Sequence, residues 1–204
     1  MKKNMPIEQV QIVKCNENKM QVFFNIENPD INLVEMIHFG LIDLLFKINM
    51  DVCDSYSLHS VAEDGSTGKL KLILKHILKD LGVPQMWVNA VISRENKHNS
   101  ITLTIVKDYL CAAEPYEQMP LEKIIINCDT TNRHKIDICI EVYFDEEYAE
   151  DTFAGTKPNK NMSNFIDKML KTLVKNIINR LKQFIEKMPY TNNITTDAKD
   201  DSLS

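Results

Sequence analysis

Apolar residues recur at alternating steps of three and four from Met162 to Met188: Phe165, Ile166, Met169, Leu170, Leu173, Val174, Ile177, Ile178, Leu181, Phe184, Ile185 and Met188. That period belongs to one face of an α-helix. Ser163 stands where an N-cap is needed and Pro189 where a helix stops, so the pattern predicts a rod of about 25 residues and roughly 38 Å. A stripe this long must be buried against something. Just upstream, Ile136, Ile138, Ile140, Val142 and Phe144 alternate with Asp137, Cys139, Glu141 and Tyr143. Period two with one apolar face is the pattern of an antiparallel strand that has one wet side. The helix therefore has a surface to cover within its own chain.

The same rules predict three hairpins, pairing residues 9–15 with 20–26, 85–93 with 100–107, and 121–128 with 135–144. Asn28-Pro29-Asp30 ends the first hairpin, and Asp30 can cap the next element. Ile31 to Met50 is apolar on most sides and predicts a buried helix, with Gly40 in its middle. Residues 51–68 are polar and irregular. Lys69 to Leu81 carries a helical stripe of Leu70, Ile73, Leu74, Ile77, Leu78 and Leu81, closed by Gly82 and Pro84. The fold class is then α+β: an antiparallel sheet of about six strands packed against a long C-terminal helix and two earlier helices. One domain over residues 9–189 is expected, with a frayed start at 1–8 and a disordered polar tail at 190–204.

Composition narrows the classes. The chain has 204 residues, 44% hydrophobic and 26% charged, an ordinary globular balance. No window approaches the ~18 uninterrupted apolar residues of a membrane span; Ile31 to Met50 is broken by Glu35, His38, Asp43 and Lys47. No transmembrane segment is expected, and MKKNMPIEQVQ lacks the apolar core of a signal peptide. The five cysteines (Cys15, Cys53, Cys111, Cys128 and Cys139) are odd in number and irregularly spaced. Free thiols and an intracellular setting, cytoplasmic or nuclear, are the expectation. A formal net charge of −5 argues against nucleic acid as a partner.

Candidate chemistry is sparse. Glu63-Asp64-Gly65-Ser66-Thr67-Gly68-Lys69-Leu70 has the outline of a phosphate loop, but Glu63 replaces the first glycine and Leu70 the hydroxyl residue. Glu35 and His38 have the spacing of helix-borne metal ligands, but no second copy exists. The acidic run from Glu141 to Asp151 lacks the alternation and glycine of a calcium loop. No nucleophile motif is present. Hence no catalytic residue, metal site or cofactor is expected, and a non-enzymatic role is. The polar side of the last helix carries Lys168, Lys171, Lys175, Arg180, Lys182 and Lys187. This basic face suits peripheral contact with an anionic membrane, a nucleic acid or an acidic partner, or pairing with the acidic run of the same chain.

The order of elements, a sheet covered by a long C-terminal helix with two helices inserted early, resembles the helix-grip arrangement of START-type lipid-transfer domains. The extra N-terminal strand departs from it. The resemblance implies an apolar small molecule or lipid between sheet and helix. Its lining would be Ile136, Ile138, Ile140, Val142 and Phe144, with Phe165, Met169, Leu173 and Ile177 opposite. A second resemblance implies assembly with another protein chain. The hairpin-helix unit is similar to the dimerisation module of RNA polymerase subunits of the bacterial alpha type. Phe24-Asn25-Ile26-Glu27-Asn28-Pro29-Asp30 stands where that family has a Glu-Asp-His-Thr-Leu turn, but the histidine and threonine are missing.

Overall fold

The computed structural model describes residues 10–16, 18–76, 79–81, 85–109, 116–145 and 160–189, without the side chains of 160–167, 169 and 170. The expected frayed start and polar tail lie outside the described residues. The strands are β1 (Gln11–Lys14), β2 (Lys19–Glu27), β3 (Cys53–Ser60), β4 (Thr67–Leu74), β5 (Met86–Lys97), β6 (Ser100–Lys107), β7 (Glu117–Gln118), β8 (Leu121–Asn132) and β9 (Lys135–Phe144). The helices are α1 (Phe39–Lys47) and α2 (Lys160–Glu186), and 3-10 turns occupy Leu33–Met36 and Lys79–Leu81. One antiparallel sheet runs β1-β2-β9-β8-β6-β5-β4-β3, and β7 joins β5 in parallel. No described helix is long and apolar enough to cross a membrane.

The sheet is larger than the six strands expected because residues 51–74 form the hairpin β3–β4. The expected helix over 69–81 is a strand in its first half. Lys69-Leu70-Lys71-Leu72-Ile73-Leu74 satisfies both periods, and β3 and β5 supply hydrogen-bond partners on both sides. A bulge between Cys53 and Ser55 breaks the alternation of β3, so its residues lack the unbroken two-residue period of a strand. The phosphate-loop lookalike is the hairpin's turn. Gly65 sits at φ +67°, and Asp64 Oδ1 accepts the Ser66 N–H at 2.9 Å. The expected helix over 31–50 is split. Asn32, not Asp30, caps the 3-10 turn, and His38 then breaks the backbone with extended φ/ψ before α1 begins. Glu35 and His38 thus share no helix face.

The sheet's inner side holds two packed clusters. Beneath the C-terminal half of α2, Val22, Phe24, Ile26, Ile101, Cys128, Ile136 and Ile138 meet Ile178, Leu181 and Ile185. Beside it, Leu70, Leu72, Val88, Ala90, Ile92, Leu103 and Ile105 meet Ile42, Phe39 and Phe46 of α1. α1 reaches both clusters, since Leu41, Leu44 and Leu45 pack on the first.

Polar bonds pin α2 at its C-terminal end. Asn28, 1% exposed, donates through Nδ2 to the carbonyls of Ile185 (2.7 Å) and Met188 (3.1 Å). Arg180 bonds Asp51 and the buried Asn49, and Lys182 Nζ donates to Asn25 Oδ1 at 2.8 Å. On the sheet's outer side, Tyr143, Lys19 and Gln21 all bond the Glu141 carboxylate, which is held down at about 2 by those bonds, Tyr143 first.

Two outcomes are expected. Asn28→Ala removes the side-chain donor from the Ile185 and Met188 carbonyls, leaving Ile185 with the Met188 N–H alone, and its urea midpoint should reveal a loss of about 1–3 kcal/mol. Glu141 has a folded value below the ordinary ~4.3, so its contribution is complete above that pH and lost as pH falls toward 2. Acid titration followed by circular dichroism should therefore show Glu141→Gln with a shallower stability loss between pH 5 and 2.

Candidate functional site

The inner side of β9 is defined by register. Ile136, Ile138, Ile140 and Val142 pair with Ile26, Phe24, Val22 and Met20 of β2, all on the side that faces α2. Burial falls along this row. Ile136 and Ile138 are 2% and 4% exposed, whereas Ile140, Val142 and Phe144 are only half-buried. α2 shows the matching trend: Ile185, Leu181 and Ile178 are buried, and Val174, Leu173 and Ile177 half-buried. The apolar cover between sheet and helix is thus complete at one end and partial toward Leu173, a wedge in burial.

The closed end is solid. Ile26, Leu33, Ile37, Ile136, Ile138 and Ile185 surround a cavity of only about 10 Å³, too small for more than one water. Ile136 and Ile138 are therefore core residues here. Ile140, Val142 and Phe144 lie along the opening part, as do Leu173 and Ile177, at the flank of a stripe centred on Val174, Ile178, Leu181 and Ile185. Phe165 and Met169 belong to the part of α2 whose side chains lie outside the described residues.

Two polar features interrupt the inner face. Pairing places Arg94 of β5 opposite Leu103, whose row continues through Ile126, Ile140 and Val22. The guanidinium stem is half-buried in this apolar row, and Arg94 Nε is buried with no hydrogen-bond partner among the described residues. A buried donor left unmet is costly and calls for an acceptor. Toward the open end, Lys107 lies opposite Ala90 on the same inner side and pairs with Asp145 at 2.7 Å. Both charges are more than two-thirds buried. Sequence reasoning passed over Arg94 because the strand was expected to end at Ser93. The signal was there, since Val88, Ala90, Ile92 and Arg94 continue one alternation.

Among the described residues, no group of histidine, cysteine, aspartate or glutamate side chains is placed to hold a metal ion. Cys53 and Cys128 are free and buried, and burial pushes both thiols up, Cys128 to about 12. Neither is primed as a nucleophile.

No protein-family model matches the chain, and no curated protein matches its sequence. Solved structures do. The chain is similar to the human StarD13 (DLC2) lipid transfer and protein localization domain, with a TM-score of 0.56, 10% identity, and 88% of this chain and 84% of that one covered. It is similar to a STAR-related lipid transfer protein from Xanthomonas axonopodis, with a TM-score of 0.57, 11% identity, and 87% and 92% covered. Human StAR-related lipid transfer protein 5 gives 0.53, 10%, 87% and 88%. Identities this low establish the fold, a helix-grip, as the order of elements implied.

The wedge has a measurable signature. Ile138→Ala should cost about 3–4 kcal/mol, as a filled core site does. Val142→Ala, at the parting end, should cost about 1 kcal/mol or less. Equal losses in chemical denaturation would mean that sheet and helix pack uniformly.

Proposed function

We propose that this protein is a non-enzymatic binding module that holds an apolar ligand of the lipid class between the sheet and the N-terminal half of α2. The ligand's chain lies along Ile140, Val142 and Phe144, and its polar end meets Arg94. The observation that carries this reading is the paired fall in burial along β9 and α2, next to a buried arginine nitrogen with no acceptor among the described residues. An amphiphile answers both needs. Its tail covers half-buried apolar surface at roughly 25 cal/mol per Å², and an oxygen on its head satisfies the guanidinium. The three similar structures named above carry lipid transfer in their names and support the same class. Exposed Lys168 and Lys175 on α2 support exchange of such a ligand at an anionic membrane surface.

Organic extraction of the purified protein and mass spectrometry of the extract test the reading. A stoichiometric amphiphile is expected. Val142→Trp should displace it by filling the wedge, and Arg94→Leu should reduce its occupancy at least tenfold while the fold survives. No extracted ligand, together with a dimer or hetero-complex in light scattering, would overturn the proposal in favour of an assembly subunit.

A further inference from the structure

α1 is capped at its N-terminus by an imidazole. His38 has φ −145° and ψ −170°, and its Nδ1 lies 2.7 Å from the Gly40 backbone nitrogen. A backbone N–H can only donate, so Nδ1 must accept. The ring is then neutral, with its proton on Nε2. Gly40 is part of the same device. A Cβ there would run into Cε1 of the ring and stand 2.8 Å from Nδ1, so only glycine lets the imidazole come this close. The usual capping residues (serine, threonine, asparagine and aspartate) keep an acceptor oxygen throughout the neutral range. Histidine does not. Protonation converts Nδ1 into a donor and places a positive charge at the positive end of the helix dipole.

We infer that His38 is a proton-sensitive latch for α1, closed while the imidazole is neutral and released when it takes up a proton. The first turn of α1 is what moves. Phe39 lies over β4, where Gly68 has no side chain to obstruct it, and Ile42 sits a turn further on in the same cluster. Releasing the cap loosens the cover over that half of the inner face. If that face is a ligand site, as proposed above, the latch couples its access to pH; the latch itself does not depend on that reading. The other charged and titratable groups on the surrounding elements are few. Glu35 of the preceding turn bonds Asn32, and Asp43 is engaged by Lys47 and Tyr56. His59 and Lys69 lie on β3 and β4, and Asp51 and Arg180 hold the far end of α1. His134 is a contrast. Its Nδ1 lies 2.9 Å from the carbonyl of Ile31, so it must donate, and protonation leaves that bond in place.

Amide hydrogen exchange by NMR tests the latch through the protection factors of Leu41, Ile42 and Asp43. Wild type should lose about fivefold in protection between pH 8 and pH 5.5, the effect of losing one N-cap. His38→Asn keeps an acceptor at every pH in that range and should hold its protection constant. Gly40→Ala should displace the ring and show low protection throughout. A wild type with constant protection, or a His38→Asn variant that falls as much as wild type, would overturn the latch.

Discussion

The last carbonyls of a helix have no partner within it, and burying them against a sheet demands a donor from elsewhere. In this fold one side-chain amide supplies that donor, beside the Met188 N–H that also reaches the Ile185 carbonyl. Asn28, at the end of β2, gives both Nδ2 protons to Ile185 and Met188. Its Oδ1 accepts from the Asp30 N–H, and its own backbone N–H bonds the carbonyl of His134 in the β8–β9 turn. Strand end, turn and helix end converge on a single buried side chain. The Leu33 N–H bonds Arg133 in the same turn, which carries the 3-10 segment at Leu33–Met36 to the same point. The long helix is therefore fixed at one end by directed bonds, with Arg180 and Lys182 adding three more within the same stretch.

That asymmetry explains the site. Asn28, Lys182 and Arg180 bind α2 to β2 and to the segment after α1 over residues 180–188, where the apolar packing is also densest. Toward Leu173 the contact becomes partial, and the sheet beneath changes from buried isoleucines to half-buried Ile140, Val142 and Phe144. A helix whose apolar cover is complete at the pinned end and partial toward Leu173 makes a wedge in burial rather than a uniform slab. The polar groups inside it follow the same axis, with Arg94 midway and the Lys107–Asp145 pair at the parting end. Opposite charges removed from water hold each other; a buried arginine nitrogen unmatched among the described residues calls for an acceptor. The helix-grip thus combines a closed end, densely packed and pinned by directed bonds, with an apolar and sparsely polar end.

Much of this was legible in the residues. The hairpins β1–β2, β5–β6 and β8–β9 come from alternation, and α2 comes from its stripe. Residues 51–81 were not legible, for two physical reasons. The bulge at Cys53/Ser55 hides one strand, and the run Lys69 to Leu74 fits a strand and a helix equally well. For the site, the direction of Ile136 to Phe144 was readable and their depth was not. Nothing local tells Ile138, packed under Ile185, from Val142, four residues on in the same row.

Spacing converts to direction because the backbone repeats every two residues in a strand and every 3.6 in a helix. By itself, then, the sequence determined which side chains share a face in β9 and α2, and that those two faces must meet. Only the tertiary structure decided what depends on partners distant in the chain. β3 and β5 settle Lys69 to Leu74 as a strand by supplying its hydrogen bonds. Asn28 sets which end of α2 is fixed, across 157 residues. Packing beneath that fixed end decides which isoleucines of β9 are fully buried core, Ile136 and Ile138, and which, like Ile140, stay half-buried.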